Sequence, residues 1–287
     1  MPTIFTHSLQ HHADEVMACA ILSMLYPEMK IVRTQDLSKA GPDDYVVDTG
    51  MVYDPETNRF DHHQSKDLPS ACMLVWEHKG IGLIQKLGGE VAMHFLNHTQ
   101  KIHKNVSERL MQPISDIDCG KRPSATSEFN QLIRNFNSMS LFKEDDGPFW
   151  MAFHIAKPIL IASIHAALQA AVDEEDYFTH TSKRNGYRIS PVKHGFIGWK
   201  EMAAKEGIYF LVAPNPRGGW QLVSRDTNII RIPKDEHQTF LHNSGFIASY
   251  EHEHQAVQAA VRLVDEAKKN EEEWLSYSGI DVFQPKP

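Results

Sequence analysis

Residues 3–22, TIFTHSLQHHADEVMACAIL, join a short β-branched and aromatic run to a long apolar run through a loop crowded with ionisable side chains. TIFTH has the composition of a strand. ADEVMACAILSMLY, residues 13–26, is apolar around most of a helical circumference and is stopped by Pro27. The loop between them carries His7, His11 and His12, and the helix starts with Asp14 and Glu15. Acids are favoured at a helix N-terminus for their own sake. Imidazoles and carboxylates packed this closely nevertheless repel or compete unless something organises them, and a divalent cation is the simplest organiser.

Outward from this βα unit the alternation continues. KIVRT (30–34) reads as a second strand, DYVVDTG (44–50) as a third, and DPETNRFDHH (54–63) as a turn with a short fourth strand. Such alternation over the first 120 residues predicts a parallel sheet covered by helices. Ligands of open α/β sheets sit outside the carboxyl ends of the strands, where His7, Asp48 and the run Asp61–His63 are expected. Helical patterns follow over about 70–112, 127–139 and 149–176, the last with Pro158 as an expected kink. From 186 the character turns to β. YRISPV (187–192) and NIIRIP (228–233) read as strands, and residues 207–225 as a hairpin around Pro216-Arg217-Gly218-Gly219. A glycine-containing loop at 242–245 is expected to lead into a closing helix. The predicted class is α/β: a parallel-sheet domain with flanking helices over 1–185, and a smaller α+β C-terminal domain over 186–287.

Bulk properties narrow the function. With 41% hydrophobic and 23% charged residues the chain has an ordinary globular composition, and no apolar run is expected to approach the roughly 18 residues of a membrane span. MPTIFTHSLQHH turns polar before a signal-peptide core can form, so a cytoplasmic location and no membrane partner are expected. Cys19, Cys72 and Cys119 show neither CxxC spacing nor an even count, which excludes a readable disulfide framework or zinc ribbon. A net charge of −8 argues against a broad basic surface for long duplexes, while 17 histidines favour metal chemistry. The apolar stretch 149–172 is a candidate homodimer face.

The motifs give that chemistry a place. His7, His12 and Asp14 are spaced so that the loop and the helix start can converge on one ion; the donor set suits Mn²⁺, Zn²⁺ or Fe²⁺. Asp48 stands at a strand end, with Gly50 letting the backbone turn away; its carboxylate can bridge two cations or serve as a turn aspartate. In RFDHHQ (59–64), one of the neighbouring rings His62 and His63 can bind metal while the other points at substrate, with Asp61 orienting a ring. SDIDCG (115–120) supplies Asp116 and Asp118, expected in a loop after a helix as ligands or caps.

Taken in order, H(x)4HxDE, VVDTG, FDHH and DIDCG resemble the motifs of the DHH phosphoesterase superfamily. Its MYG1 branch, metal-dependent proteins with exonuclease activity, is the most similar: THSLQHHADEVMACA, YDPETNRFDHHQ, IVRT and FLHNSGFIAS all look like segments of that branch. The similarity is strong in the first 65 residues and weak over about 66–205. The resemblance implies a binuclear site, normally Mn²⁺ with Mg²⁺, Zn²⁺ or Fe²⁺ as alternatives. His7, His12 and Asp48 would hold one ion, and Asp14, Asp48, His62 and Asp118 the other, with His63 facing the scissile phosphate. It also implies a C-terminal substrate domain, where His242, Ser244 and Gly245 would take a phosphate beside a helix N-terminus. Arg217, Arg225 and Arg231 are further candidates for phosphate contacts.

Some positions depart from the branch. Its Asn-Gly after the first histidine is Ser8-Leu9 here, and its Phe before the second is His11, which leaves His11 and His12 as alternative ligands. Cys119 replaces an Asn, and Ala248-Ser249 a Gly-Gly pair. The expected function is a Mn²⁺-dependent phosphodiesterase acting as a 3′–5′ exonuclease on short single-stranded RNA or DNA. Hydrolysis of a small phosphoester or (cyclic) dinucleotide, and a non-catalytic metal-stabilised nucleotide-binding or interaction module, are the alternatives.

Overall fold

Thr3–Thr6 forms β1, and its neighbours on both sides run parallel to it: Lys30–Arg33 (β2) and Tyr45–Val47 (β3). This computed structural model describes residues 2–88, 92–139, 146–192 and 195–278. It divides into two compact units, Met1–Ala171 and Val172–Pro287. The division falls inside a long helix, where the sequence reading drew its line at 185.

In the first unit Arg59–Phe60 (β5) continues the parallel set beside β3, and Tyr53–Asp54 (β4) adds an antiparallel edge, giving the order β2-β1-β3-β5-β4. The sheet is therefore mixed rather than purely parallel. The chain between β4 and β5 is a single 3₁₀ turn, Pro55–Thr57, closed by Asn58 at φ 59°, which is too short for the crossover a parallel pair requires. Ala13–Leu25 (α1) is apolar on every side because it is covered on every side: Val16, Met17, Cys19, Ala20, Ile21 and Leu22 are wholly buried. The helix Ala71–Gly88 (α2) packs on it.

The expected helical stretch 70–112 resolves into α2, Ala92–Val106 (α3) and a π-helical turn, Ser107–Met111, leading into Gln112–Asp118 (α4). Asp116 and Asp118 thus lie in the last turns of a helix and not in a loop after one. The helix Glu128–Phe136 (α5) is N-capped by Ser127, whose hydroxyl accepts from the Asn130 amide.

Gly147–His180 (α6) runs through Pro158. Phe149, Ala152, Phe153, Ala156, Leu160, Ile164 and Ala167 form its buried stripe in the core of the first unit. One 18-residue window of α6 has a mean hydropathy of 1.5 and is 28% buried, so by length and composition this helix is long and apolar enough to cross a membrane. That corrects the expectation that no apolar run reaches such a length. His154, Lys157 and His165 interrupt the stretch in sequence, which masks its apolar length.

The second unit holds a six-stranded sheet in the order β10-β11-β9-β8-β7-β6. Its strands are Ser182–Lys183 (β6), Tyr187–Ile189 (β7), Phe210–Pro214 (β8), Trp220–Ser224 (β9), Gln238–Leu241 (β10) and Ile247–Tyr250 (β11). β7 and β8 are parallel and the remaining pairs antiparallel. Trp199–Lys205 (α7) precedes β8, and Glu253–Ser278 (α8) lays Ala256, Ala259, Ala260, Leu263, Val264 and Ala267 on the sheet.

The hairpin expected over 207–225 is β8–β9. Two expectations fail here. NIIRIP forms no strand: Ile229, Ile230 and Ile232 are buried, but the Ile230 carbonyl is taken by the Ser224 hydroxyl and the Ile232 amide by the Gly245 carbonyl, which breaks any ladder. Residues 242–245 lead into β11 and not into a helix, because Gly245 at φ 70° closes a β-turn onto the His242 carbonyl.

Candidate functional site

β1, β3 and β5 are adjacent and parallel, so their carboxyl ends lie side by side and deliver His7, Asp48 and Asp61–His63 to one sheet edge. Asp48 sits in the left-handed region at φ 53°, a conformation an aspartate tolerates better than most residues and one that persists where the surroundings over-determine it. Leu9, in the His7–His12 loop, is also left-handed at φ 74°.

Two sets of donor atoms meet at Asp48, each with its atoms within 4.8 Å of one another: His7, His12, Glu15 and Asp48, and Asp14, Asp48, His62 and Asp118. A third set adds His63 to Asp48 and His62. His7 Nε2 lies 3.4 Å from Asp48 Oδ2 and 3.3 Å from Glu15 Oε1. His62 Nε2 lies 3.3 Å from Asp48 Oδ1 and 3.1 Å from Asp118 Oδ2. Asp48 Oδ1 and His62 Nε2 are buried without a hydrogen-bond partner. Such orphaned atoms are costly in an interior, and two that point toward one another across a carboxylate–imidazole set fit a divalent cation.

The electrostatics point the same way. Burial opposes a charge on His7, but Asp48 and Glu15 against its ring prevail and push its pKa up to about 11. Asp118 and Asp48 push His62 up to about 11 against its burial. Burial likewise opposes the Asp48 charge, yet His62 and His7 hold its pKa down to about 2. Asp14, fully buried beside Asp118 and Asp48, is raised well above the carboxylate range. The carboxylates thus demand positive charge, which protons supply in the absence of a cation.

Surrounding groups orient these donors. The His7 Nδ1 meets the Ser8 carbonyl at 3.1 Å, which leaves Nε2 for the centre. Glu15 closes a capping box, accepting from the His12 amide at 2.8 Å and 3.0 Å. Asp14 accepts from the Ala71 and Cys72 amides at 2.8 Å and 2.7 Å, and so caps α2 rather than its own helix. Asp61 Oδ1 receives both the amide and Nδ1 of His63, at 3.0 Å and 2.7 Å, while its Oδ2 takes the Met51 amide. His63 remains half exposed at the mouth of a cleft of about 830 Å³.

His11 turns inward: its Nε2 meets the Ile133 carbonyl at 3.2 Å, its ring packs edge-on to Phe149, and burial lowers its pKa to about 4. His12 is the one that lines the cleft. Asp116 binds Gln112 and Arg122 and belongs to none of the donor sets.

Three participants were not assigned a role from sequence, although Glu15 was counted among the crowded ionisable groups. Glu15 joins the first donor set. Arg33, buried under the Phe149 ring and paired with Asp146, donates to the Leu9 carbonyl at 2.8 Å. Asn137 grips the His11 backbone twice, accepting its amide at 3.0 Å and donating to its carbonyl at 2.7 Å. The capping-box spacing from His12 to Glu15 was a legible signal for the first; nothing local marks Asn137.

In the second unit His242, Ser244 and Gly245 form one turn in which His242 and Ser244 are exposed and Gly245 is buried, with His242 Nδ1 accepting from the Ser244 amide at 3.2 Å. Arg231 is exposed and its Cβ abuts Gly245. Arg217 is in the β8–β9 turn, at the opposite end of the β9–β11 pair from that cluster. Arg225 is buried over the Tyr209 ring, paired with Glu271 and donating to the Ile208 carbonyl, so its guanidinium is already engaged.

Comparison with known proteins agrees with the MYG1 resemblance. Residues 3–223 match the profile of an uncharacterised protein family, UPF0160, MYG1_exonuc. The MYG1 exonuclease of Homo sapiens is 49% identical over 276 residues, covering 82% of this chain and 71% of its own length. The MYG1 exonuclease of Mus musculus is 33% identical over 276 residues, covering 82% and 70%. The MYG1 protein of Chlamydia trachomatis is 33% identical over 162 residues, and the match spans about half of that relative's length, 52%. No solved structure matches the chain.

Proposed function

Because this chain belongs to the MYG1 family (UPF0160), we propose that it is a metal-dependent phosphodiesterase of the DHH type, trimming short single-stranded nucleic acid, RNA foremost, from the 3′ end. The observation that carries this reading is the meeting of buried Asp48 Oδ1 and His62 Nε2, close to one another but without a hydrogen bond, where two donor sets share Asp48. The exonuclease names of the human and mouse relatives support a nucleic-acid substrate.

His7, His12, Glu15 and Asp48 would hold one Mn²⁺, and Asp14, Asp48, His62 and Asp118 a second, with Asp48 shared. Bound there, such a pair supplies an activated water and neutralises charge as phosphorus is attacked in line. The chain's own groups do the rest. Asp61 holds the Nδ1 of His63, which leaves Nε2 free to hydrogen-bond a phosphoryl oxygen. The first turn of α1, pinned by the Glu15 capping box, keeps His12 in register with His7. In the C-terminal part, taken as 186–287, His242, Ser244 and Arg231 are exposed around the buried Gly245 and form the cluster suited to a substrate phosphate, whereas Arg225 is spent on Glu271.

A second reading, hydrolysis of a dinucleotide or small phosphoester, draws support from the net charge of −8 and the limited cleft. The deciding experiment is Mn²⁺-dependent cleavage of 5′- and 3′-labelled short RNA beside a dinucleotide, with Asp48→Ala as control. Stepwise shortening from the 3′ end is expected. Cleavage of the dinucleotide alone selects the second reading, and equal activity in Asp48→Ala removes both.

A further inference from the structure

Arg134 is the single lysine or arginine among the described residues that line the cleft, whose other charged or ionisable lining groups are histidines and aspartates. None of the described carboxylates pairs with its guanidinium, although Asp48, Asp61 and Asp118 line the same cleft; its one side-chain hydrogen bond among the described residues is to the Ser124 hydroxyl at 3.4 Å. A guanidinium that no described carboxylate engages, beside so many acids, is available to an anionic ligand.

The side chain is also delivered by a fixed element. Immediately before it, Ile133 is wholly buried and its carbonyl meets the His11 ring; one turn later Asn137 grips the His11 backbone. The flank of α5 beside Arg134 is therefore clamped to the loop that carries His7 and His12. Asn130, nine-tenths buried and held at the helix start by Ser127, lines the cleft one turn before Arg134. Arg134 thus keeps a set position relative to the donor groups although its own side chain is exposed.

We infer that Arg134 is a specificity-determining residue that binds a second, non-scissile phosphate of the substrate, so that the cleft prefers a chain with at least two phosphates to an isolated diester. The inference rests on the phosphodiesterase reading above. Cations at Asp48 would serve the reacting phosphate. A neighbouring phosphate meets a wall otherwise made of neutral or acidic side chains, and the planar guanidinium suits its oxygens.

The test compares the full-length wild type with Arg134→Ala and Arg134→Lys in Mn²⁺. Two substrates are used: a short RNA, and bis(p-nitrophenyl) phosphate, which has one phosphate only. Binding of a fluorescein-labelled phosphorothioate pentanucleotide is followed by anisotropy across a salt series. For Arg134→Ala we expect KM for RNA and Kd for the pentanucleotide to rise about tenfold or more, because a charge-assisted contact is lost. The slope of log Kd against log salt should fall by about 0.7, one single-strand phosphate contact. Turnover of the one-phosphate ester and bound metal should stay unchanged, and Arg134→Lys should recover part of the affinity. Unchanged RNA affinity and salt slope in Arg134→Ala overturn the inference, as does an equal loss on both substrates. A wild type that binds the pentanucleotide but cleaves nothing overturns the phosphodiesterase reading, while the binding arm still decides Arg134. No binding and no cleavage by the wild type overturns both.

Discussion

Asp48 Oδ1 and His62 Nε2 face each other at 3.3 Å at the carboxyl ends of β3 and β5, both buried and neither hydrogen-bonded. Asp48 belongs to every donor set at this edge, so it is the residue on which the site turns.

Replacing Asp48 with alanine should lower Mn²⁺-dependent cleavage by more than about 100-fold, since cation-assisted charge neutralisation is worth several kcal/mol. Alanine tolerates the left-handed backbone at φ 53° less well than aspartate, so the melting temperature should also fall. Steady-state assay with thermal unfolding of the same sample checks both, and retained cleavage with unchanged metal content would show that Asp48 is not shared.

Glu15 has two separable tasks. Glu15→Gln keeps an acceptor for the His12 amide but loses the charge beside His7. It should unfold like wild type and bind metal about 10- to 100-fold more weakly. Glu15→Ala should lose about 1 kcal/mol of stability as well, as a broken cap does. Metal titration monitored calorimetrically separates the two variants; equal affinity in wild type and Glu15→Gln would remove Glu15 from the donor set.

The histidines set the pH dependence of the metal-free protein. His7 and His62 are raised to about 11 in the fold against an ordinary value of 6.5. Their contribution is therefore complete below pH 6.5 and is lost as pH climbs toward 11. Asp48, held down to about 2, gives the opposite limb: its contribution is present above pH 3.8 and lost as pH falls through 2. Melting temperature in chelator should decline steadily from pH 6.5 to 10, and Mn²⁺ should flatten that decline and release protons on binding. A flat profile in chelator would contradict the imidazolium–carboxylate arrangement.

Asn137 ties a loop to a helix more than 120 residues away in sequence: its side chain pairs with both backbone groups of His11. Asn137→Ala leaves those groups without partners, at a cost of about 1–3 kcal/mol. It should lower the melting temperature and weaken metal binding together, because His7 and His12 flank the released segment. Weakened stability with unchanged metal affinity would show that the loop keeps its shape without the clamp.

Strand ends were legible in sequence because each is an apolar run ending in an ionisable residue, as in TIFTH, DYVVDTG and RFDHH, and the structure puts those ends side by side. What escaped depended on partners distant in the chain. Asp14 was readable as an acid at the start of α1, yet its carboxylate caps α2 at Ala71 and Cys72. His11 and His12 were interchangeable on paper, and only the Ile133 carbonyl and the Phe149 ring, both from later helices, turn one inward. NIIRIP had a strand's composition, but its carbonyl and amide were claimed by Ser224 and Gly245 before any ladder could form. The turn at 242–245 was misread for a related reason: Gly245 signals a left-handed turn without saying which element follows it.

The most direct test of the central claim is electron paramagnetic resonance of the chelated, Mn²⁺-reconstituted full-length protein. A pair of ions sharing Asp48 predicts an exchange-coupled multiline spectrum that appears as cleavage activity appears and collapses in Asp48→Ala. An isolated six-line Mn²⁺ signal at full activity, or a coupled signal that survives Asp48→Ala, would contradict it.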